Sequence, residues 1–455
     1  LSPEISLMPS LLARCLWAVV LVQLLAFELV PGQTPDRLRV LLETDAGGDP
    51  DDEQSLVRFL AYCNEWDVEA IICNRPQARE RENRNRERTG LGIVQQLVRA
   101  YSASYPHLRQ HDARYPDPQH LLEHTVPGHS ESREGVDRIL AAVDSPDPRP
   151  LWYIEWGSDR GSGEVNMRRA LDEVLKERGP DGYARFKSRL RIAAPDQFGE
   201  HTAQIAPAFP LWVNTFQPPV DGKRWYHRFS ALTATAGGFD LERDVLHDHG
   251  PLGDLYPTNT THRQKEGDTM TFLYLVPTGM NDPEHPGWGS WAGRYGRNPE
   301  FGDRNYYWAN QADSWQGTTH RDNTLGRWAA DLQNDFRCRM DWCVRDFAGA
   351  NHPPQVRIEP LATTTVRGGA RLELNASGTR DPDGDGLQYE WIYYPEPGGD
   401  VPLAVVIRGE TMARARVILP TAAQRSTVHI VLRVTDQGTP PLARYGRVVL
   451  VVEPG

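Results

Sequence analysis

Cysteine is scarce in this chain. Five residues in 455 carry it, Cys15, Cys63, Cys73, Cys338 and Cys343, and none of their spacings matches the paired ligands of a zinc knuckle. Cationic excess is missing too: 50 Lys and Arg stand against 61 Asp and Glu, for a formal charge of -11 and a pI near 5.7. A polyanion therefore meets no basic surface, which excludes nucleic acid as a partner. Long hydrophobic runs are also absent, since nothing beyond residue 32 approaches the roughly 18 apolar residues a membrane-crossing helix needs. No stable membrane span is expected. What the chain does hold is an ordinary 39% of hydrophobic residues, enough for a sizeable core, together with 13 Trp and 16 Tyr. Aromatics in that number suit either a large enzyme core or surfaces that stack on flat ligands such as sugars and bases.

The segment MPSLLARCLWAVVLVQLLAFELVPGQ has one Arg14, an apolar run from Leu16 to Phe27, and small residues before Gln33. That order is the layout of a secretory signal peptide, so residues 1–32 are expected to be removed and the protein to be secreted or periplasmic. Cys15 leaves with this leader, and of the four thiols that remain, Cys338 and Cys343 in CRMDWC are the expected disulfide pair. Cys63 and Cys73 read equally well as small buried hydrophobes.

From Leu38 the pattern alternates. RLRVLLETD reads as a strand, DEQSLVRFLAYCNE as a helix and VEAIICN as a second strand; RPLWYIEWG, RLRIAAPDQ and FPLWVNTF continue the strands with helical stretches between them. This predicts an α/β domain over residues 36–348, an open, mainly parallel sheet with helices on both faces. After about residue 225 long Gly, Pro and aromatic loops take over, and loops of that length are candidates for site walls. A helical stretch through RWAADLQNDFRCRMDWCVRDF ends at a Pro-containing linker, residues 349–355. Residues 356–455 then show period-two strands between turn residues, the pattern of an all-β immunoglobulin-like sandwich. This part resembles PKD modules, with DPDGD joining two strands and Trp391 entering the core. Asp381, Asp383 and Asp385 offer carboxylates to a hard cation or form a tight Asx and Gly turn; the turn is the expected reading.

The chemistry concentrates at ETDAGGDPDDEQS. Glu43, Asp45, Asp49, Asp51 and Asp52 crowd one strand-to-helix turn, at the carboxyl edge of the sheet where open α/β folds bind ligands. Helix capping accounts for one or two of these acids but not for Asp45 on the strand side. Bringing Asp45, Asp51 and Asp52 together raises their pKa values unless a cation joins them, and oxygen-only donors point to calcium ahead of magnesium or zinc. Gly47 and Gly48 let the loop fold tightly enough for that.

TDAGGDPDDEQS after a first strand resembles the aspartate motif of the nucleoside hydrolases. With NEWDVEAII, RPLWYIEWG, HGPLGDLYP, EGDTMTFLYLVPTGMNDPEHPGWGSWAGRY and the ANHPP junction, the chain resembles an exported bacterial branch described as nucleoside hydrolase-like with a cellulose-binding association. The resemblance spans nearly all of the chain after the leader. It implies a nucleoside hydrolase-like fold that hydrolyses N-glycosidic bonds, ribosyl or related, with Ca2+ as cofactor and a small glycoside or nucleoside as substrate. It implies that Asp45 is a metal ligand and orients or deprotonates the attacking water, that Asp52 and the late Asp268 are further ligands, and that Asp51 holds a sugar hydroxyl or shares in coordination. Asn74, at the end of the second strand, matches a ribose-binding Asn. Two departures stand out: Gly267, after Glu266, replaces the His that many nucleoside hydrolases place before the late Asp, and GDP is inserted before Asp51, which makes Asp49 an additional ligand candidate. By position alone Asp196, at a predicted strand end, is a substrate-binding candidate, ahead of His249, Asp282 and His285. The alternative is a protein that binds cellulose or another polysaccharide, through Trp288 and Trp291 or the sandwich, over a non-catalytic domain.

Overall fold

The apolar run LRVLL is a strand because it can bury both faces. The computed structural model describes residues 37–79, 84–157, 166–194, 209–215, 225–260, 263–359, 363–399 and 402–455, and the expected leader and Asp196 lie outside them. Eight strands make the main sheet: β1 (Leu38–Thr44), β2 (Trp66–Cys73), β3 (Thr125–Pro127), β4 (Leu151–Glu155), β5 (Leu190–Ala194), β6 (Trp212–Asn214), β7 (Gly296–Arg297) and β8 (Tyr306–Trp308). Their order is β3-β2-β1-β4-β5-β6-β8-β7, parallel throughout except for β7 against β8. Strand order reverses between β1 and β4, so the carboxyl end of β1 lies at a topological switch point.

Five helices accompany the first strands: α1 (Pro50–Tyr62), α2 (Gly90–His111), α3 (Pro118–Glu123), α4 (Glu134–Asp144) and α5 (Asn166–Ser188). Alternation along the strands splits the core in two. Val40, Leu42, Ile71, Trp152 and Ile154 pack with α1, α2 and the helix Ala329–Trp342, while Leu41, Ile72, Tyr153 and Ile192 pack with α4 and α5 on the other face. The predicted fold class is the observed one.

The cysteines differ from expectation. Cys63, Cys73, Cys338 and Cys343 are all free, buried thiols. Cys338 and Cys343 are five positions apart on and just beyond the helix Ala329–Trp342, where helical rise alone separates their Cα atoms by about 7.5 Å, beyond disulfide reach. Burial pushes the Cys63 and Cys343 thiols up to about 12, so these groups are inert.

A hairpin, β9 (Asp313–Trp315) with β10 (Thr318–His320), precedes the terminal sandwich. One sandwich sheet has the order β11-β17-β16-β13, from β11 (Thr364–Arg367), β17 (Ala443–Glu453), β16 (Ser426–Thr435) and β13 (Gln388–Tyr394). The other has β12-β15-β14, from β12 (Arg371–Asn375), β15 (Arg414–Ile418) and β14 (Val406–Arg408). Trp391 enters the core as expected and donates its indole N–H to the Met412 carbonyl at 2.9 Å. The linker residues Asn351 and His352 are buried, and Asn351 donates to Asp436 at 3.1 Å and to the Pro440 carbonyl at 2.7 Å. Sandwich side chains also reach into the α/β part: Arg444 pairs with Asp335 at 2.6 Å, Arg433 and Tyr445 both hold Asp331, and Tyr394 donates to Asp313 at 2.6 Å. Residues 38–455 form one compact unit. Among the described residues no helix is long and apolar enough to cross a membrane.

Candidate metal centre

Thr44, the last residue of β1, turns its hydroxyl toward α1. The hydroxyl donates to Asp52 Oδ1 at 2.6 Å and accepts from the Ala46 amide at 3.1 Å, which fixes the strand-to-helix turn from inside. The Gly48 amide closes that turn on the Asp45 carbonyl at 2.8 Å. Gly47 has φ of +90°, and a Cβ there would sit 2.9 Å from Ala78 Cβ, so glycine is required by both conformation and space. A Cβ on Gly48 would come within 2.6 Å of Asp45 Oδ2. The loop wraps the Asp45 carboxylate closely.

All thirteen residues of α1 are buried, which is unusual for a helix with Asp51, Asp52 and Glu53 in its first turn. Its polar residues are committed to one long-range task. Gln54 accepts from the amides of Lys265 and Glu266 at 2.8 and 3.0 Å, Arg58 forms a pair with Glu266 at 2.6 and 3.0 Å, and Ser55 accepts from Thr269 at 3.1 Å. Phe59 stacks on Trp66 and meets Phe272 edge-on, anchoring the helix Thr269–Leu273 against α1. Asp268, which opens that helix, is thereby carried over the start of α1.

The result is a buried acidic group. Asp51, Asp52 and Asp268 each present a carboxylate oxygen within 4.8 Å of the others. Two oxygens on opposite sides of one calcium ion, each about 2.4 Å from it, are about 4.8 Å apart. Burial raises the pKa of all three and of Asp45, to about 6 for Asp45 and Asp51 and well above the usual range for Asp52 and Asp268. Repulsion among the four adds to this, whereas a hydrogen bond between Asp45 and Asp52 and the Arg75 guanidinium, 4.0 Å from Asp45, work against it for Asp45. Oxygen donors only, clustered and desolvated, fit a hard divalent cation.

Of the expected ligands, the structure brings together Asp52, Asp268 and Asp51, with Asp45 alongside. Asp49 stands outside the buried group: its exposed carboxylate pairs with Lys265 at 2.6 Å, the ammonium that also lies 3.1 Å from Asp51. It makes no side-chain cap hydrogen bond. Asn74 is buried beside the site, and its amide donates to Glu43 at 3.1 Å and to the Gly157 carbonyl at 3.0 Å. That makes it a scaffold for the loop after β4, leaving its donor group no free hydrogen for a ribose. Glu43, the first acid of the turn, faces away from the cluster by strand alternation and is held on the α5 side by Asn166 at 2.9 Å and by Tyr153. His249 pairs with Asp341, His285 pairs with Asp282 and stacks on Trp288, and none of them joins the cluster. Trp291 is fully buried against Tyr445, so it offers no sugar-stacking face.

Sequence reasoning missed Lys265 and Arg75. The Lys265 ammonium lies 3.1 Å from Asp51, a cation within the chain that partly offsets the acidic charge, and its own pKa is raised by both aspartates against the opposing effect of burial. Replacing Lys265 with Met should tighten calcium binding about tenfold or more on the Coulomb scale and destabilise the calcium-free protein. Calorimetric titration of the variant with calcium chloride measures the first effect, and unaltered affinity would separate Lys265 from the centre.

The raised carboxyl groups also fix a sign. Between about pH 4 and pH 6 the calcium-free folded state keeps protons at Asp45 and Asp51 that the unfolded chain has lost, so stability falls as pH rises through that window. Calcium bound by these carboxylates would displace those protons. Its stabilising effect on the melting temperature should therefore be larger near pH 7 than near about pH 5, which melting curves with calcium and with a chelator measure directly.

Comparison with known proteins follows the two parts of the fold. The family pattern described as "Cellulose-binding Sde182, nucleoside hydrolase-like domain" matches residues 39–295, and "Cellulose-binding protein Sde0182, C-terminal domain" matches residues 371–452. A nucleoside hydrolase-related hypothetical protein from Saccharophagus degradans, associated with carbohydrate metabolism, is 29% identical in sequence with a TM-score of 0.71, covering 92% of this chain and 100% of its own. The PKD domain of the KIAA 1837 protein covers 22% of this chain and 85% of its own at 19% identity, with a TM-score of 0.17 that supports no argument. No curated protein sequence matches the chain.

Proposed function

The chain belongs to the cellulose-binding Sde182 nucleoside hydrolase-like family, and from that premise we propose that it is an exported, calcium-dependent hydrolase of N-glycosidic bonds in ribosyl or related small glycosides. One observation carries the reading: Asp51, Asp52 and Asp268 converge in a buried group at the switch point of the sheet, with Asp45 beside them. These residues would hold calcium. When bound there, the ion supplies Lewis acidity to water and a hard partner for a sugar diol.

The chain's own contribution is proton transfer and electrostatics. Asp45, raised to about 6, is ionised at neutral pH yet basic enough to accept a proton from an attacking water. The water oxygen bonds to the anomeric carbon, its proton passes to the Asp45 carboxylate, and the C–N bonding pair departs with the leaving group. The negative cluster favours the oxocarbenium-like charge that develops on the sugar. Departure of the leaving group is the step the chain assists least at the expected place: Glu266 is fully buried and bound to Arg58, Tyr256, Gln264 and Thr269. Substrates with leaving groups that depart without protonation should therefore turn over fastest.

The same buried Arg58–Glu266 pair favours a second reading, a polysaccharide-binding protein whose α/β part does not turn over substrate. Both are tested by following sugar release from a panel of nucleosides and nitrophenyl ribosides, with calcium and with a chelator, beside retention on cellulose. The hydrolase reading expects calcium-dependent release, fastest from the activated riboside. No release from any compound, with cellulose retention indifferent to chelator, replaces it with the second reading. Export is supported by the leader pattern of residues 1–32.

A further inference from the structure

The formal charge of -11 predicts no basic surface, yet one face of the sandwich carries the opposite sign. Strand alternation sorts the three-stranded sheet. Leu374, Ala415 and Val417 turn into the sandwich core, whereas Arg371, Glu373, Arg414, Arg416, Val406 and Arg408 turn outward and are exposed. Four arginines thus share this face with one carboxylate. The other sheet meets the α/β part through Tyr394, Arg433, Arg444 and Tyr445, so the arginine face is the one left to solvent.

The register crowds these charges. Arg408 of β14 is directly opposite Arg416 of β15, and Arg416 is opposite Glu373 of β12, which accepts its hydrogen bond. Arg414 reaches only the Asn375 side chain, at 3.4 Å. Among the described residues, Arg371 and Arg408 have no ion-pair partner. Beside β12, Arg357 and Glu359 neutralise one another at 3.4 Å, and even with Glu410 in the turn after β14 positive charge prevails. Like charges directly opposite on neighbouring strands are destabilising, so folding gains nothing from Arg408 against Arg416.

We propose that the outer face of β12, β15 and β14 docks a linear acidic polysaccharide that bears one carboxylate per sugar, a polyuronate. Guanidinium forks bind carboxylates in a bidentate manner. The backbone sets neighbouring arginines about 4.8 Å apart across strands and about 6.8 Å apart along β15, the scale of one sugar unit. Val406 and Ile418, opposite one another in the row of Arg371, add an apolar strip for the C–H face of a ring. Duplex nucleic acid, with a charge every 1.7 Å or so, is too dense a polyanion for so small a face in an otherwise acidic chain. A polyuronate is sparser. The proposal rests on neither reading of the β1 centre.

The test titrates the full chain into a fluorescent oligogalacturonate and reads anisotropy, with chelator present so that calcium neither fills the β1 centre nor cross-links the glycan. Binding should weaken about tenfold or more when ionic strength rises from about 0.01 M to about 0.15 M. Replacing Arg371 and Arg408 together with Gln should weaken it about tenfold or more at low salt, with a melting temperature equal or higher because a repelling pair is gone. Neutral cellodextrin should not compete. No binding at low salt, or binding indifferent to the double replacement, overturns the proposal. Displacement by duplex DNA or phosphatidylglycerol vesicles at equal charge overturns it too, as does a dimer that the double replacement dissociates, which would assign the face to a second copy of the chain. None of these results bears on the β1 centre, since calcium is absent throughout.

Discussion

Replacing Asp45 with Asn should lower hydrolysis about a thousandfold, in the range that loss of a general base usually costs. The substitution preserves shape, which matters because Gly48 and Gly157 flank this side chain so closely that a Cβ on either would lie 2.6 or 3.2 Å from its carboxylate. An amide cannot accept the proton of the attacking water. Calcium should still bind, since Asp51, Asp52 and Asp268 remain, although more weakly for the lost charge. Single-turnover rates at saturating calcium separate the two effects. A rate that recovers fully when calcium is raised would make Asp45 a ligand only, and an unaffected rate would remove it from the mechanism altogether.

A second large effect concerns the fold. Arg58 and Glu266 are both fully buried, 2.6 Å apart, and they tie α1 to the segment that delivers Asp268. Replacing Arg58 with Met strands the Glu266 carboxylate in the core, and breaking such a pair costs about 3–5 kcal/mol. Chemical denaturation should register that loss, and calcium affinity should fall with it because Asp268 is no longer held over α1. The double replacement Arg58→Met and Glu266→Gln should regain much of the stability by removing the stranded charge. If the double variant is as unstable as the single one, packing of Arg58 over Phe336, 3.6 Å from its ring, matters more than charge.

These predictions depend on features that were unequally legible in the sequence. The β1, α1 and β2 unit could be read because each obeys a short period, and the acidic turn because its composition has no ordinary reason. Asp268 was singled out by resemblance, and the fold carries it beside Asp51 and Asp52. The inward turn of Asp51 and outward turn of Asp49 could not be read, since they depend on where the α1 axis points relative to a segment more than two hundred residues away. Lys265 escaped for the same reason: it is one lysine in a loop until Gln54 clasps the backbone beside it. Asn74 shows a different limit. It follows the second strand as read, but the buried Glu43 carboxylate takes one of its amide hydrogens, and a competition for donors inside a core leaves no trace in a linear pattern.

The sandwich looks, by sequence, like an appendage on a proline-containing tether. Asn351 and His352 are instead core residues, and Tyr394, Val431, Leu442 and Tyr445 belong to the same apolar cluster as α1 and β1. A module grafted at the tether alone would leave Asp331, Asp335 and Asp313 without the Arg433, Tyr445, Arg444 and Tyr394 partners they meet here, so an exchange of the sandwich has to carry both halves of these contacts together.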